Sequence, residues 1–508
     1  MDALVIGTGF GGIAAALRLR SKGYHVTALD RGPEIGGRAR VFERDGFRHD
    51  AGPTVITAPF LLEELFALFG ERLDAHVTLV PVKPWYRFRF ADGTTFDYGG
   101  SLEETLAEIA RFEPADCDGY RALLAHSRRI FDVGFTQLSA RPFHPFWEMV
   151  RQVPALLRLR NYETVWQMVS RHLRDPRLRQ AFSIQPLLVG GNPFDTTSIY
   201  GLIHSLEREH GVHFAMGGTG ALVAALRGLM ERQGIQLRLN TTVRSIVIEE
   251  GEARGVELED GSRLKADLVV SNADAAHLHG SMIPPGKRAL ASRLKLKAAH
   301  YSMGLYVLYF GTRRVYPDVA HHTIWMGARY RELLEDIFHR RVLAEDFSLY
   351  LHRPTATDRS FAPEGCDSFY VLCPVPNQQA GIDWTREEPR LRARIIAALD
   401  DTLLPGLKET ITAKFALTPD DFAQWKVRPF AARTRSARCR GVSTAVIGPL
   451  GSGRRSPSPS RALPAHPRQD GCRPRRETDS GYPPRGYGSG TTPTGGRSGR
   501  SRTPPRSD

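Results

Sequence analysis

The 508-residue chain is 41% hydrophobic and 24% charged, enough apolar material for two domains or for one with a large insertion. No run approaches the roughly 18 apolar residues of a spanning helix, and no basic-then-apolar leader opens the sequence, so it reads as a cytoplasmic, non-integral protein. The net charge of +14 is no nucleic-acid signal, because 18 of the 69 basic but only 4 of the 55 acidic residues fall in the last 83 positions, leaving 51 of each before them.

Ala3–Gly7 reads as a short buried strand, Gly11–Lys22 as a helix from the spacing of Ile13, Ala16, Leu17 and Leu19, and Tyr24–Asp30 as a second strand. Residues 101–215 read as mostly helical, with amphipathic runs broken at Pro142, Pro145 and Pro154. Gly234–Ile248 and Ala253–Leu258 read as paired strands, Asp260-Gly261 as a turn, and Leu268–Ser271 as another buried strand. Residues 300–425 mix strands (Met303–Phe310, Phe369–Leu372) with helices (Tyr330–Phe338, Pro389–Leu403). Beyond about residue 425 the periodicity vanishes. Twelve Pro and 12 Gly among the last 83 residues cannot bury enough surface to offset chain entropy, so disorder is expected there. Five cysteines, odd in number and without a CxxC pair (Cys117, Cys366, Cys373, Cys439, Cys472), argue against a disulfide framework and a thiolate metal site.

Gly7, Gly9 and Gly12 supply G-x-G-x-x-G between a strand and a helix, and a second strand ends in Asp30. Gly7 permits the tight turn, Gly9 lets backbone approach a pyrophosphate, and Gly12 lets helix and sheet pack closely. The helix N-terminus offers its dipole to the phosphates. Asp30 is expected to accept hydrogen bonds from an adenosine ribose, which favours FAD or NAD over NADP. Downstream, Gly36-Gly37-Arg38 resembles the second glycine motif of the large flavoprotein superfamily that includes amine oxidases, where Arg38 would add charge-assisted hydrogen bonds to the diphosphate. That selects FAD.

From residue 3 to about 423 the sequence resembles the bacterial-type phytoene desaturases, FAD enzymes of carotenoid synthesis. The resemblance is carried by Asp50–Thr57 (DAGPTVIT), Leu188–Phe194 (LVGGNPF), Leu206–Glu209 (LERE), Gly217–Leu222 (GGTGAL), Ser271–Asp274 (SNAD) and Ala344–Tyr350 (AEDFSLY). It implies an α/β protein with a discontinuous Rossmann-type FAD-binding domain, a mixed α+β substrate domain and a disordered C-terminal tail. The FAD domain would comprise residues 1–100 and 215–300, with a helical substrate and membrane-associating region at 101–214 and the second substrate part at 301–425. Val243 matches the strand position whose backbone contacts the flavin's adenine, and the substrate domain would enclose a long apolar tunnel. Glu148 and Arg151 fall where the family's polar pair near that tunnel lies. Members of the family end in a G-A-G-T-H-P-G-A-G-x-P-G segment that closes the flavin site, and residues 426–508 contain nothing matching it. Two readings stand for this segment, a natural basic tail and a slipped reading frame, and the abrupt end of the resemblance at Phe422 favours the second.

The implied reaction is desaturation of phytoene, a C40 hydrocarbon, to lycopene or a partly desaturated carotene, with quinone or oxygen as final acceptor. Another carotenoid oxidoreductase, a flavin-dependent carotene isomerase and an inactive homologue are the alternatives. Flavin chemistry needs alignment and water exclusion rather than a protein nucleophile, which fits a sequence without a Ser-His-Asp arrangement or metal cluster. At roughly 0.8 kcal/mol per buried CH₂, passing such a molecule through water would cost on the order of tens of kcal/mol. The enzyme is therefore expected to draw it from the bilayer as a peripheral protein. Arg141–Arg174, with Phe143, Phe146, Trp147, Leu156, Leu157 and Trp166 among six arginines, is the candidate surface. His321-His322 invites a metal reading, but adjacent side chains point apart and no third ligand at useful spacing is evident.

Overall fold

Ala3–Ile6 are four consecutive buried apolar residues, the pattern of a strand covered on both faces, and they form β1 (Asp2–Ile6). Helix α1 (Phe10–Ser21) follows and buries Ile13, Ala16 and Leu17, and β2 (His25–Leu29) returns parallel to β1. Leu268–Ser271 pairs parallel on the other side of β1, and Gln236–Arg238 parallel to β2. The computed structural model describes residues 1–137 and 153–424 together with the backbone of 445–447. Ala445–Ile447 pairs antiparallel with Leu268–Ser271 at the sheet edge, within the segment expected to be disordered. The rest of that segment lies outside the described residues.

Alternation along β1 sends Val5 to one face of this sheet and Leu4 and Ile6 to the other. Val5 packs with α1 and with the helix Gly218–Arg232, through Ile13, Leu17, Leu226 and Leu229. Leu4 and Ile6 pack under a three-stranded meander (Val243–Glu249, Glu252–Leu258, Arg263–Lys265), against Val243, Ile246 and Val256. The single strand expected over Gly234–Ile248 is two strands in two different sheets. Asn240, at φ +51°, bends the chain between them.

The second large sheet has seven strands in the order Ile411–Leu417, Gly304–Thr312, Asp367–Val375, Leu349–His352, His322–Trp325, Tyr86–Arg89, Thr95–Tyr98. Pairing is antiparallel except between His322–Trp325 and Tyr86–Arg89. The strands at 86–98 thus join residues 304–417, although the sequence places the domain boundary near residue 100. One face of the sheet (Leu308, Phe310, Leu351, Phe369, Val371) packs on the helix Trp384–Asp400. Each such buried Leu, Val or Phe contributes about 1.5–3 kcal/mol. That helix begins five residues before Pro389. Asp383 caps it by accepting from Thr385 N, and the proline sits inside the helix rather than opening it.

The other face is a row of rings set by register. His322 lies opposite His352, His352 opposite Tyr370, Tyr370 opposite Tyr309, and Tyr309 opposite Phe415. No helix of the described residues is long and apolar enough to cross a membrane.

Candidate functional site

At the carboxyl ends of the parallel strands three loops meet. Gly7, at φ +87°, turns the chain, its N–H donating to Leu29 O at 2.7 Å. Gly9 is the N-cap of α1 without a side-chain cap, which leaves room at the helix start. A Cβ on Gly12 would overlap the Gly7 carbonyl oxygen, so close helix–strand packing does demand glycine there. The second motif lies directly on the first. Gly36 N–H donates to Thr8 O at 2.8 Å, Gly9 and Gly36 form a parallel bridge, and a Cβ on Gly37 would come 3.1 Å from Gly9 Cα. Gly36 and Gly37 both hold positive φ (101° and 62°), which a side chain rarely adopts.

Asp30 has a structural duty that the sequence did not suggest. Its Oδ2 accepts from Thr8 N (2.8 Å) and Thr8 Oγ1 (2.6 Å), and its Oδ1 from Gly32 N (2.8 Å). Three of the carboxylate's roughly four acceptor positions are thereby engaged, and one remains on Oδ1. The Asn240 turn fastens the same loop, with Asn240 N–H donating to Gly32 O and Thr241 N–H to Asp30 O. Val243 opens the next strand, and its side chain is packed in the apolar cluster with Ile6 and Leu29.

Arg38 is buried. Desolvation pulls its guanidinium below the ordinary arginine range, and the nearby Asp274 charge opposes that shift. A Cβ on Gly52 would overlap the Arg38 carbonyl, so the Asp50–Thr57 segment is laid against this loop. Asn272 and Asp274 also belong to the site and were not singled out individually from the sequence. Asn272 follows the strand Leu268–Ser271, donates its N–H to Ile6 O, and brings Nδ2 to 3.3 Å from where a Gly9 Cβ would be. Asp274 caps the short helix that follows, accepting from Ala276 N and His277 N. Their signal was positional, a polar block at the end of a buried strand. Glu148 and Arg151 lie outside the described residues.

A second group of buried polar side chains links tyrosines of the seven-stranded sheet to residues from other elements. Asp50 Oδ1 accepts from Thr219 N (2.9 Å) and Thr219 Oγ1 (2.8 Å). Thr54 Oγ1 is 2.8 Å from Tyr370 OH and 3.2 Å from Tyr350 OH. Glu207 is fully buried and accepts from Tyr86 OH at 3.1 Å. Burial raises its carboxyl to about 7, with the hydrogen bond from Tyr86 and the Arg208 charge working the other way. Arg208 donates to Gly100 O, Thr105 Oγ1 and Tyr120 OH and stacks 4.6 Å over Trp85. These two residues come from the LERE block.

His321 and His322 do not point apart. Their ring centroids are 4.5 Å from one another, both are buried, and His352 joins them from the neighbouring strand. Burial pushes all three imidazoles towards the neutral form.

Two hollows stand out among the described residues, one lined by Asn192, Phe194, Asp195, Arg331, Glu335 and His339, the other by Glu43–Arg48 and Ser360. Both are open and polar, and neither is the elongated apolar tunnel that the resemblance implies. Within the candidate membrane surface, Trp166 is packed on Phe194 and Tyr330 instead of facing outward, whereas Val153, Leu157 and Tyr162 are exposed. Phe143, Phe146 and Trp147 lie outside the described residues.

Comparison with known proteins agrees with this geometry. The family model described as flavin containing amine oxidoreductase matches residues 10–357. A lycopene-forming phytoene desaturase of Pseudescherichia vulneris is 46% identical over 423 residues, 82% of this chain and 85% of that protein. A neurosporene-forming phytoene desaturase of Rhodobacter capsulatus is 40% identical over 85% of this chain and 83% of its own. Among solved structures, an oxidoreductase from Methanosarcina mazei superposes with a TM-score of 0.59 at 16% identity, covering 86% of this chain and 91% of its own, a likeness of fold alone. The chain belongs to the flavin-containing amine oxidoreductase family and, within it, to the phytoene desaturases.

Proposed function

We propose that this chain is an FAD-dependent phytoene desaturase that forms lycopene or a partly desaturated carotene. The observation that carries the reading is the meeting of the Gly7–Gly12 and Gly36–Arg38 motifs at the ends of β1 and β2, in a chain 46% identical to lycopene-forming relatives. The residues fit a flavin dinucleotide. Gly9, Gly12, Gly37 and Gly52 are bare where a Cβ would crowd the loops, and α1 begins there without a side-chain cap. When bound, FAD supplies the hydride acceptor.

Toward that cofactor, Asp30 would use its remaining acceptor position for the adenosine ribose, and Arg38 would neutralise the diphosphate. Gly36 and Gly37 would let backbone approach it, and the Val243 backbone would meet the adenine. In this reading the FAD domain is discontinuous, drawing on both sides of the helical region. The ring row from Tyr370 through Tyr309 to Phe415 would form an apolar, water-excluding wall for an extended polyene. Glu148 and Arg151 are retained as the polar pair that would manage the departing proton. Membrane attachment through the exposed Val153, Leu157 and Tyr162 among arginines, and transfer of electrons to quinone or oxygen, complete the reading.

A second reading, an inactive homologue, is favoured by the last 83 residues, which lack the family's flavin-closing segment. Anaerobic incubation of the full chain with FAD, phytoene-bearing liposomes and a quinone tests both. The desaturase reading expects conjugated carotenes with matching quinone reduction. Isomerised carotene without quinone reduction would indicate an isomerase, and unchanged phytoene an inactive chain.

A further inference from the structure

Among the described residues one group of three or more histidine, cysteine or acidic side chains has its ligand atoms all within 4.8 Å of one another, namely His321, His322 and His352. Strand register creates it. His322 and His352 are directly opposite on neighbouring antiparallel strands, the closest placement that a sheet allows two side chains. His321 completes the trio from just ahead of its strand, its ring 4.8 Å from that of His352 and its carbonyl accepting from Arg353 N–H.

His352 Nδ1 faces His322 Nδ1 at 3.5 Å. His321 Nδ1 is 2.6 Å from Thr357 Oγ1, and His322 Nδ1 is 2.7 Å from Tyr350 OH. The Nε2 atoms of all three histidines are buried without a hydrogen-bond partner. Asp50 Oδ2 is likewise buried and unpartnered, 3.8 Å from His352 Nε2, while Thr219 occupies the other carboxylate oxygen. Three orphaned imidazole nitrogens and a carboxylate oxygen in one dry place are costly to leave unmet. In His321 and His322 a hydroxyl holds Nδ1 and leaves Nε2 open, which is how metal-bound imidazoles are oriented.

We propose that His321, His322 and His352, with Asp50 as fourth ligand, bind a zinc-class divalent cation. Imidazole nitrogens bind zinc at about 2.0–2.1 Å, so a trio this close gathers on one ion by modest side-chain rotation. Three nitrogens and one oxygen suit zinc and disfavour the harder calcium and magnesium. The site is closed and four-coordinate, so its role is structural. It ties two strands of the large sheet to Asp50, at the end of the hairpin that leads to Gly52 and the Arg38 loop. Being buried, it must be loaded as the chain folds. The proposal stands apart from the desaturase reading, since it needs neither flavin nor carotene.

The test is metal analysis of the full chain expressed in zinc-supplemented and, separately, cobalt-supplemented medium. About one equivalent of metal per chain is expected, with visible ligand-field absorption in the cobalt form. His322→Gln and His352→Gln should each lose it at least tenfold, and His339→Gln, on the surface, should keep it. Wild-type chain from both media with under about a tenth of an equivalent would overturn the proposal, as would full retention in both cluster variants. Should those variants fail to fold, the wild-type stoichiometry and cobalt spectrum decide the question alone.

Discussion

Gly12 stands so close to Gly7 that any side-chain carbon on it would overlap the Gly7 carbonyl oxygen. Gly9, in the same motif, would meet only the Asn272 amide at 3.3 Å. The two glycines therefore differ in kind. Gly12→Ala must push α1 off the sheet, and it should lower stability by about 1–3 kcal/mol or more and prevent flavin uptake. Gly9→Ala should fold with near-normal Tm and lose affinity for FAD only. Thermal melts of the two variants, with and without FAD, check this.

Asp30 ties the first glycine loop to the second strand through Thr8 and Gly32. Asp30→Ala leaves two backbone N–H groups and a hydroxyl without their acceptor. It should cost about 1–3 kcal/mol even without cofactor. Thr8→Val removes one of the three bonds and should cost about 1 kcal/mol. Denaturant unfolding of the FAD-free chain distinguishes this from a purely cofactor-binding role, for which neither variant would change stability.

Glu207 keeps its proton to about pH 7 when folded, against an ordinary glutamate value of 4.5. Between those values the folded chain binds the proton that the unfolded chain has released. Stability contributed by the neutral form is therefore complete below about 4.5 and falls as pH rises through 7. Glu207→Gln cannot ionise. The Tm of the wild type should fall relative to that variant between about pH 5 and pH 8, a difference on the order of 3 kcal/mol. Parallel curves would contradict the assignment.

Arg353 and Asp367 form a buried ion pair at 2.9 Å, with side chains 3% and 0% exposed. Asp367 also accepts from Tyr316 N–H, and Arg353 donates to Val319 O. Removing one charge strands the other, so Asp367→Ala should destabilise by about 3–5 kcal/mol. Arg87 and Asp97 are about a third exposed, and Asp97→Ala should cost about 1 kcal/mol or less. Chemical denaturation of both variants measures the contrast.

The nucleotide crossing was legible in the sequence because its signals are local, glycines at fixed spacing between an apolar run and a second strand ending in Asp30. What the sequence could not show depends on register and on distant partners. His352 meets His322 only because two strands thirty residues apart pair in one alignment. The bonds from Thr8 to Asp30 depend on loop conformation, and Asn240 splits one apparent strand through a left-handed residue that periodicity does not register. The helix expected from Pro389 begins five residues earlier, where the Asp383 side chain caps it, a signal that lies outside the apolar periodicity. Trp166 read as part of a basic amphipathic surface and is instead packed on Phe194 and Tyr330, which only tertiary contacts reveal.

The most direct measurement is the visible absorption spectrum of the purified full chain after incubation with excess FAD and gel filtration. The account predicts a protein-bound flavin band at about one FAD per chain, abolished by Gly12→Ala and weakened by Asp30→Ala. A folded chain that emerges colourless would contradict it.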